Sequence, residues 1–168
     1  MAEDPIRVLF VCLGNICRSP LAEGVFRSLV RARELENRYL VDSAGTGAWH
    51  AGEHPDQRSV EVARRNGVAL SGHARQIEAP DFADFDYVIA MDRQNLLELR
   101  TLARSPQDEA HLHLLRDFDP EPGDGQVPDP YYGGPDGFER MYEMVNRACA
   151  ALLDHLEEHR LDRTTNEK

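Results

Sequence analysis

Long apolar runs are missing from these 168 residues. No stretch approaches the roughly 18 to 20 consecutive apolar residues that a membrane span requires, and the mean hydropathy of −0.54 agrees. Cysteine is scarce as well. Three residues, an odd number at low density, exclude a disulfide framework as the basis of the fold. Cations are in deficit, with 19 Lys and Arg against 30 Asp and Glu for a formal net charge of −11. That balance argues against nucleic acid and anionic membranes as partners. It also repels phosphorylated molecules at long range, although salt screens exposed charges beyond roughly 8 to 10 Å. Any phosphate site in this chain must therefore be made positive locally. Met1 to Pro5 carry Glu3 and Asp4 and no apolar signal region, so a cytoplasmic location is the expectation.

Internal repeats and low-complexity segments are also lacking. What is present is ordinary for a globular chain. An apolar content of 41% suffices for the core of a single domain over 1–168, with 1–5 and 162–168 as polar, fraying ends.

Ile6 to Val11 reads as a continuous apolar strand, of the kind buried on both faces of a parallel sheet. Pro20 to about Leu35 follows as a helix, with Ser19 as its N-cap and Pro20 at the first helical position. Tyr39 to Val41 is a short strand leading into the glycine-rich loop Ser43 to Gly52, and Asp56 to Asn66 is a helix stopped by Gly67. Phe85 to Met91 is a strand, Asp92 to Leu102 a helix capped by Asp92, and His111 to Leu115 a last short strand. After the long loop Asp117 to Pro135, an amphipathic helix runs from Phe138 to about Arg160. Strands alternating with helices predict an α/β fold of three layers, an open parallel sheet with helices on both faces. Ligands in such folds sit beyond the carboxyl ends of the strands, where Cys12 falls.

The run Cys12-Leu13-Gly14-Asn15-Ile16-Cys17-Arg18-Ser19-Pro20 carries the chemistry. A phosphate monoester resists attack because its oxygens are negative and its leaving group is poor. A site must aim a nucleophile, neutralise the equatorial oxygens and protonate the leaving oxygen. The residues between Cys12 and Arg18 suffice for a tight arc whose N–H groups point inward as an anion nest, with Gly14 relaxing the backbone where the arc is sharpest. The helix beginning near Ser19 adds its positive end, which favours both a phosphate and a Cys12 thiolate. Arg18 offers a planar fork for two phosphoryl oxygens, and Ser19 can donate a hydrogen bond to the thiolate. Asn15, in mid-loop, can fix the arc through its amide.

Zinc binding through Cys12 and Cys17 is disfavoured by loose spacing and the lack of a second pair, since Cys149 lies in the last helix. His50, His54, His111 and His113 read as surface histidines rather than a metal set. Asp129 stands between Pro128 and Pro130 in a long acidic loop. Read alone, it is one of several solvated acids with Asp117, Asp119, Glu121 and Asp124.

Cys12 to Pro20 resembles the signature of the low-molecular-weight protein tyrosine phosphatases. The resemblance extends over nearly the whole chain, through Asp42-Ser43-Ala44-Gly45-Thr46 with Trp49, Asp86-Tyr87-Val88-Ile89-Ala90-Met91-Asp92 and Asp129-Pro130-Tyr131-Tyr132-Gly133. It implies a flavodoxin- or Rossmann-like, four-stranded parallel sheet with the phosphate loop after the first strand, and an enzyme that needs no metal or organic cofactor. It implies hydrolysis of phosphotyrosine and aryl phosphates through a cysteinyl-phosphate intermediate. Cys12 would be the nucleophile, Arg18 the phosphate arm, and Asp129 the general acid and then the base. Leu13, Gly14, Asn15, Ile16, Cys17 and Ser19 would surround the phosphate. Trp49, Tyr131 and Tyr132 would wall the aromatic ring.

In that family a histidine ahead of an Ala-Arg pair holds the loop asparagine. Here the segment is Ser71-Gly72-His73-Ala74-Arg75-Gln76, one residue shorter, with His73 as the counterpart and Glu23 and Asp42 as further support. Cys17 matches a second loop cysteine able to close a reversible disulfide with Cys12 under peroxide, which implies redox regulation. The implied partner is a phosphotyrosine-containing protein such as a bacterial tyrosine kinase, met by a monomer or weak dimer.

Three rivals follow from the same residues. A thioredoxin-coupled arsenate reductase needs two further cysteines in mid-chain, and Leu70 to Leu102 contain none. A protein-arginine phosphatase of the same superfamily has a threonine at the position resembling Ile16 and a phenylalanine at that resembling Tyr131, so Ile16 and Tyr131 favour phosphotyrosine. A binding module without turnover would need a damaged nucleophile or acid, yet Cys12, Arg18 and Asp129 are all present.

Overall fold

Alternate residues of one central strand, β1 (Ile6–Cys12), feed two separate cores. Val8, Phe10 and Cys12 point to one side and Leu9 and Val11 to the other, as the two-residue period of a strand dictates. The computed structural model describes residues 4–130, 134 and 136–166, with side chains as far as 160. β1 pairs in parallel with β2 (Tyr39–Gly45) and with β3 (Tyr87–Ala90), and β3 pairs in parallel with β4 (Leu112–Leu114). The strand order is β2-β1-β3-β4, which gives the expected four-stranded parallel sheet. Register sets Cys12 opposite Gly45 and Val11 opposite Ala90, so the β1 exit lies against the exits of both neighbours.

Six α-helices complete the described chain: α1 (Arg18–Ala32), α2 (Gln57–Arg65), α3 (Asp81–Asp84), α4 (Arg93–Leu102), α5 (Pro106–Ala110) and α6 (Gly137–Asn166). Leu21, Val25 and Phe26 of α1, Val62 of α2, and Met141, Val145 and Leu152 of α6 cover the Phe10 face. Phe82 of α3 and Leu99 of α4 cover the Leu9 face. The Phe10 and Phe26 rings meet at a tilt of 60° with centroids 5.7 Å apart, and Phe26 meets Tyr39 edge-on at 5.6 Å. Phe10 is fully buried. Truncating such a ring to alanine typically costs about 3–5 kcal/mol.

Several boundaries differ from the sequence expectation. β2 runs on to Gly45, because pairing with β1 extends the ladder through Ser43 and Ala44, which carry no strand signal of their own. α1 begins at Arg18, with Cys17 at the cap position and no side-chain cap, so Ser19 lies inside the helix rather than at its cap. Asp92 caps its helix as expected, accepting from Asn95 N–H, whereas Asp56, read from the sequence as the first residue of α2, is its cap and accepts from Arg58 N–H. Gly67, at φ 78°, follows α2 as expected. α3 and α5 are too short to show a hydrophobic period. α6 continues to Asn166 rather than stopping near Arg160, since extending a formed helix adds one hydrogen bond per residue fixed.

Candidate active site

The loop from Leu13 to Cys17 connects β1 to α1 within a few residues, which forces a tight arc at the carboxyl end of the sheet. The left-handed residue of that arc is Asn15, at φ 57°, not Gly14. Asparagine tolerates this region better than most side chains. Gly14 has a different reason to lack a side chain, because a Cβ there would lie 2.9 Å from the His50 ring. Gly45 provides the floor. A Cβ at Gly45 would meet Leu13 O at 2.8 Å and Gly14 C at 3.1 Å, so the loop rests directly on the end of β2.

Asn15 is buried and holds the arc from inside. Its Nδ2 donates to Ser19 Oγ at 2.8 Å and to Ser43 Oγ at 3.0 Å, and its Oδ1 accepts from Arg75 N–H at 3.0 Å. Ser43 in turn donates to Glu23 Oε1 at 2.6 Å, while Glu23 also pairs with Arg27 at 2.8 Å. His73, expected on Asn15, instead packs its ring on His54 at 4.5 Å, though it borders the same small cavity as Asn15, Glu23, Asp42 and Ser43. The Arg75 backbone occupies the place assigned to it. A strand-like segment around Arg75 docks on the end of β2, through Gly45 N–H to Arg75 O and Ile77 N–H to Gly45 O, both at 2.8 Å. Asp42 acts one step further out, binding the Arg75 guanidinium together with Asp81.

A cavity of about 340 Å³ opens above the loop, lined by Cys12, Leu13, Gly14, Ile16, Cys17, Arg18, Trp49, His50 and Asp129. Cys12 Sγ lies 3.0 Å from Ser19 Oγ and accepts the Ser19 N–H at 3.4 Å. The Ser19 hydroxyl is thus committed to the sulfur and to Asn15, which explains why it does not cap α1. With no side chain capping α1 and no acid in its first turn, the positive end of the helix remains available to an anion.

Arg18 is almost fully buried, and its NH1 donates to Asp92 Oδ2 at 2.6 Å and to Val127 O at 3.0 Å. Its NH2 lies 3.7 Å from Asp129 Oδ2. Burial alone would loosen its proton, but Cys12, the Asp92 hydrogen bond and charge, and Asp129 hold the guanidinium above its ordinary range. Burial pushes the Cys17 thiol up to about 12, with Asp56, Cys12 and Asp129 adding to the effect. Cys17 is therefore a protonated thiol at neutral pH.

Trp49 lines the cavity although 76% exposed, its ring lying over Gly47. Leu13, 39% exposed, supplies a second apolar rim. Tyr131 and Tyr132 lie outside the described residues. Sequence reasoning missed Asp92 as the anchor of Arg18, the Val127 carbonyl, and His50, whose Nδ1 pairs with Glu53 Oε2 at 2.6 Å. Asp92 was legible only as a helix cap, and a backbone carbonyl leaves no sequence signal. Among the described residues no group of three or more His, Cys, Asp or Glu side chains is arranged to hold a metal ion.

Comparison with known proteins agrees with this geometry. The Streptomyces coelicolor low molecular weight protein-tyrosine-phosphatase is 50% identical over 149 residues, covering 88% of this chain and 91% of that protein. The crystal structure of YfkJ from Bacillus subtilis superposes with a TM-score of 0.89 at 41% identity, covering 95% of this chain and 99% of the other. A Drosophila arginine phosphatase superposes at 0.84 with 38% identity, covering 90% and 98%. The family described as low molecular weight phosphotyrosine protein phosphatase matches residues 7–162, and the chain belongs to that family.

Proposed function

We propose that this protein hydrolyses phosphotyrosine in proteins, and aryl phosphates generally, in two steps at Cys12. The observation that carries the reading is the convergence of Cys12, Arg18 and Asp129 on one cavity above the loop from Leu13 to Cys17. In the first step Cys12 Sγ attacks phosphorus, the bond to the phenolic oxygen breaks, and Asp129 gives that oxygen its proton. Arg18 and the N–H groups at the start of α1 bind the equatorial oxygens. In the second step water attacks the cysteinyl-phosphate, Asp129 takes the proton, and the thiolate leaves towards the Ser19 hydroxyl 3.0 Å away. Trp49 and Leu13 give the phenyl ring apolar contact.

The fold is shared with an arginine phosphatase, so architecture does not choose the substrate. Ile16 on the cavity wall favours an aryl ester, as the apolar side of the site. The proposed setting is the cytoplasm, with a monomer or weak dimer meeting a phosphotyrosine protein such as a tyrosine kinase. Among the described residues, no helix is long and apolar enough to cross a membrane.

Phosphate release from p-nitrophenyl phosphate, a phosphotyrosine peptide and a phosphoarginine peptide tests the reading. The wild type is expected to turn over the first two, and Cys12→Ser to abolish turnover. Residual activity of Cys12→Ser above a few per cent would remove Cys12 as nucleophile. Asp129→Ala should reduce kcat/KM far more on phenyl phosphate than on 2,4-dinitrophenyl phosphate, whose leaving group needs no proton. Equal losses would remove Asp129 as the acid.

A further inference from the structure

The long loop that delivers Asp129 has no regular structure between Phe118 and Asp129, yet its stem is fixed by one buried side chain. Arg116 is 5% exposed and directs its guanidinium mainly to this loop, with one further contact from NH1 to Met144 Sδ of α6 at 3.6 Å. NH1 donates to Gln126 O at 2.6 Å, NH2 donates to Glu121 O at 2.8 Å, and Nε donates to Asp119 Oδ2 at 3.2 Å. The Asp119 side chain is fully buried and is also bound by Arg147 of α6, through Nε to Oδ1 at 2.8 Å and NH2 to Oδ2 at 3.2 Å. Asp119 Oδ1 closes the loop further by accepting Glu121 N–H at 2.8 Å.

The far end of this clasp reaches the site. Gln126 and Val127 are tied to the exit of β3 by Arg93 N–H to Gln126 Oε1 at 3.1 Å and Val127 N–H to Met91 O at 2.9 Å. Val127 O then receives Arg18 NH1, and Asp129 follows two residues later at 3.7 Å from Arg18 NH2.

From this geometry we infer that Arg116, held by Asp119 and Arg147, is a positioning residue for proton transfer by Asp129. It acts by fixing the Gln126 carbonyl from which the acid-bearing segment departs. The inference rests on the phosphatase reading above. Arg116 touches no substrate and lies outside the cavity lining. Its planar fork serves two carbonyls and a carboxylate at once, which a single ammonium cannot do. Without it, Val127 remains on Met91 and Arg18 keeps Asp92, so phosphate binding survives while the acid loses its aim. Misplacement of a reacting group by about 1 Å can cost on the order of 100-fold in rate.

The test is Arg116→Lys, which keeps a charge for Asp119 but gives up the fork. Values of kcat/KM are compared on phenyl phosphate and 2,4-dinitrophenyl phosphate, alongside the inhibition constant of inorganic phosphate. The expected result is a loss of roughly 10- to 100-fold on the phenyl ester, with the dinitrophenyl ester and the phosphate constant moving less than about threefold. Equal losses on both esters, no loss on either, or a parallel weakening of phosphate inhibition would overturn the inference. Should melting curves show Arg116→Lys unfolded, Asp119→Asn is read by the same three measurements and the same criteria. A wild type that turns over neither ester instead defeats the phosphatase reading itself.

Discussion

Asn15 and Arg75 are joined across the molecule by one hydrogen bond, Arg75 N–H to Asn15 Oδ1 at 3.0 Å. Asn15 also carries the left-handed backbone of the loop, at φ 57°. The same residue therefore sets the local curvature and ties the loop to a segment sixty positions away. Two substitutions separate these roles. Asn15→Gly keeps the left-handed backbone and loses the three hydrogen bonds. Asn15→Ala loses both, and should be less stable than Asn15→Gly by about 1–2 kcal/mol in urea denaturation. Both should lose kcat/KM on aryl phosphate. Equal stability of the two would show that the backbone conformation at Asn15 carries no cost.

Gly45 is the floor on which the loop rests. Gly45→Ala places a methyl group 2.8 Å from Leu13 O, and backbone cannot swing aside as a flexible side chain can. Overpacking of this kind costs about 1–3 kcal/mol. The expected outcome is a folded protein with kcat/KM lowered roughly 100-fold through displacement of the loop. Wild-type kinetics in Gly45→Ala would show that the loop does not depend on that contact.

Cys17 is a buried, protonated thiol beside the site. Oxidation of Cys12 by peroxide gives a sulfenic acid, and attack by Cys17 sulfur would expel water and leave a Cys12–Cys17 disulfide. Activity lost to peroxide should return with dithiothreitol in the wild type and return far less in Cys17→Ser. Full recovery of Cys17→Ser would exclude Cys17 as the protecting partner.

His113 is half-buried between Tyr87 and Phe118, at ring distances of 5.4 and 5.8 Å. Burial holds its pKa below the ordinary 6.5, with His155 and His111 acting in the same direction and Asp117 opposing them. The unfolded chain then binds the proton more readily than the folded one. Stability from this residue is complete above pH 6.5 and is lost as the pH falls through the lower, folded value. His113→Phe should flatten the dependence of the melting temperature on pH just below 6.5. An unchanged slope would assign that dependence to other groups, such as His155, which is shifted the same way.

What the sequence made legible follows the range of the interactions. β1, the position of Cys12 at its exit, and the Asp92 cap are encoded by neighbours a few residues apart, and each was readable. Ser19 was misread for an instructive reason. Its spacing fits an N-cap, but its hydroxyl is drawn to Cys12 and Asn15, partners fixed by the loop and not by helix propensity. The holder of Asn15 was misassigned to His73 because a backbone N–H has no residue identity to read. Asp119 looked like one of several solvated acids in a proline-rich loop, and Arg116, just ahead of that loop, carried no signal of its own. Their burial arises from packing against α6, which no local pattern foretells.

Asp92 has two oxygens with two employers. Oδ1 accepts Asn95 N–H at 2.8 Å and starts α4, while Oδ2 holds Arg18 at 2.6 Å. Of the side chains that cap helices well, asparagine, serine and threonine can do the first task but bring no charge for the second. Glutamate keeps the charge and is not a favoured cap. Position 92 is thus pinned from both sides, and any attempt to redesign the phosphate arm must rebuild the beginning of α4 along with it.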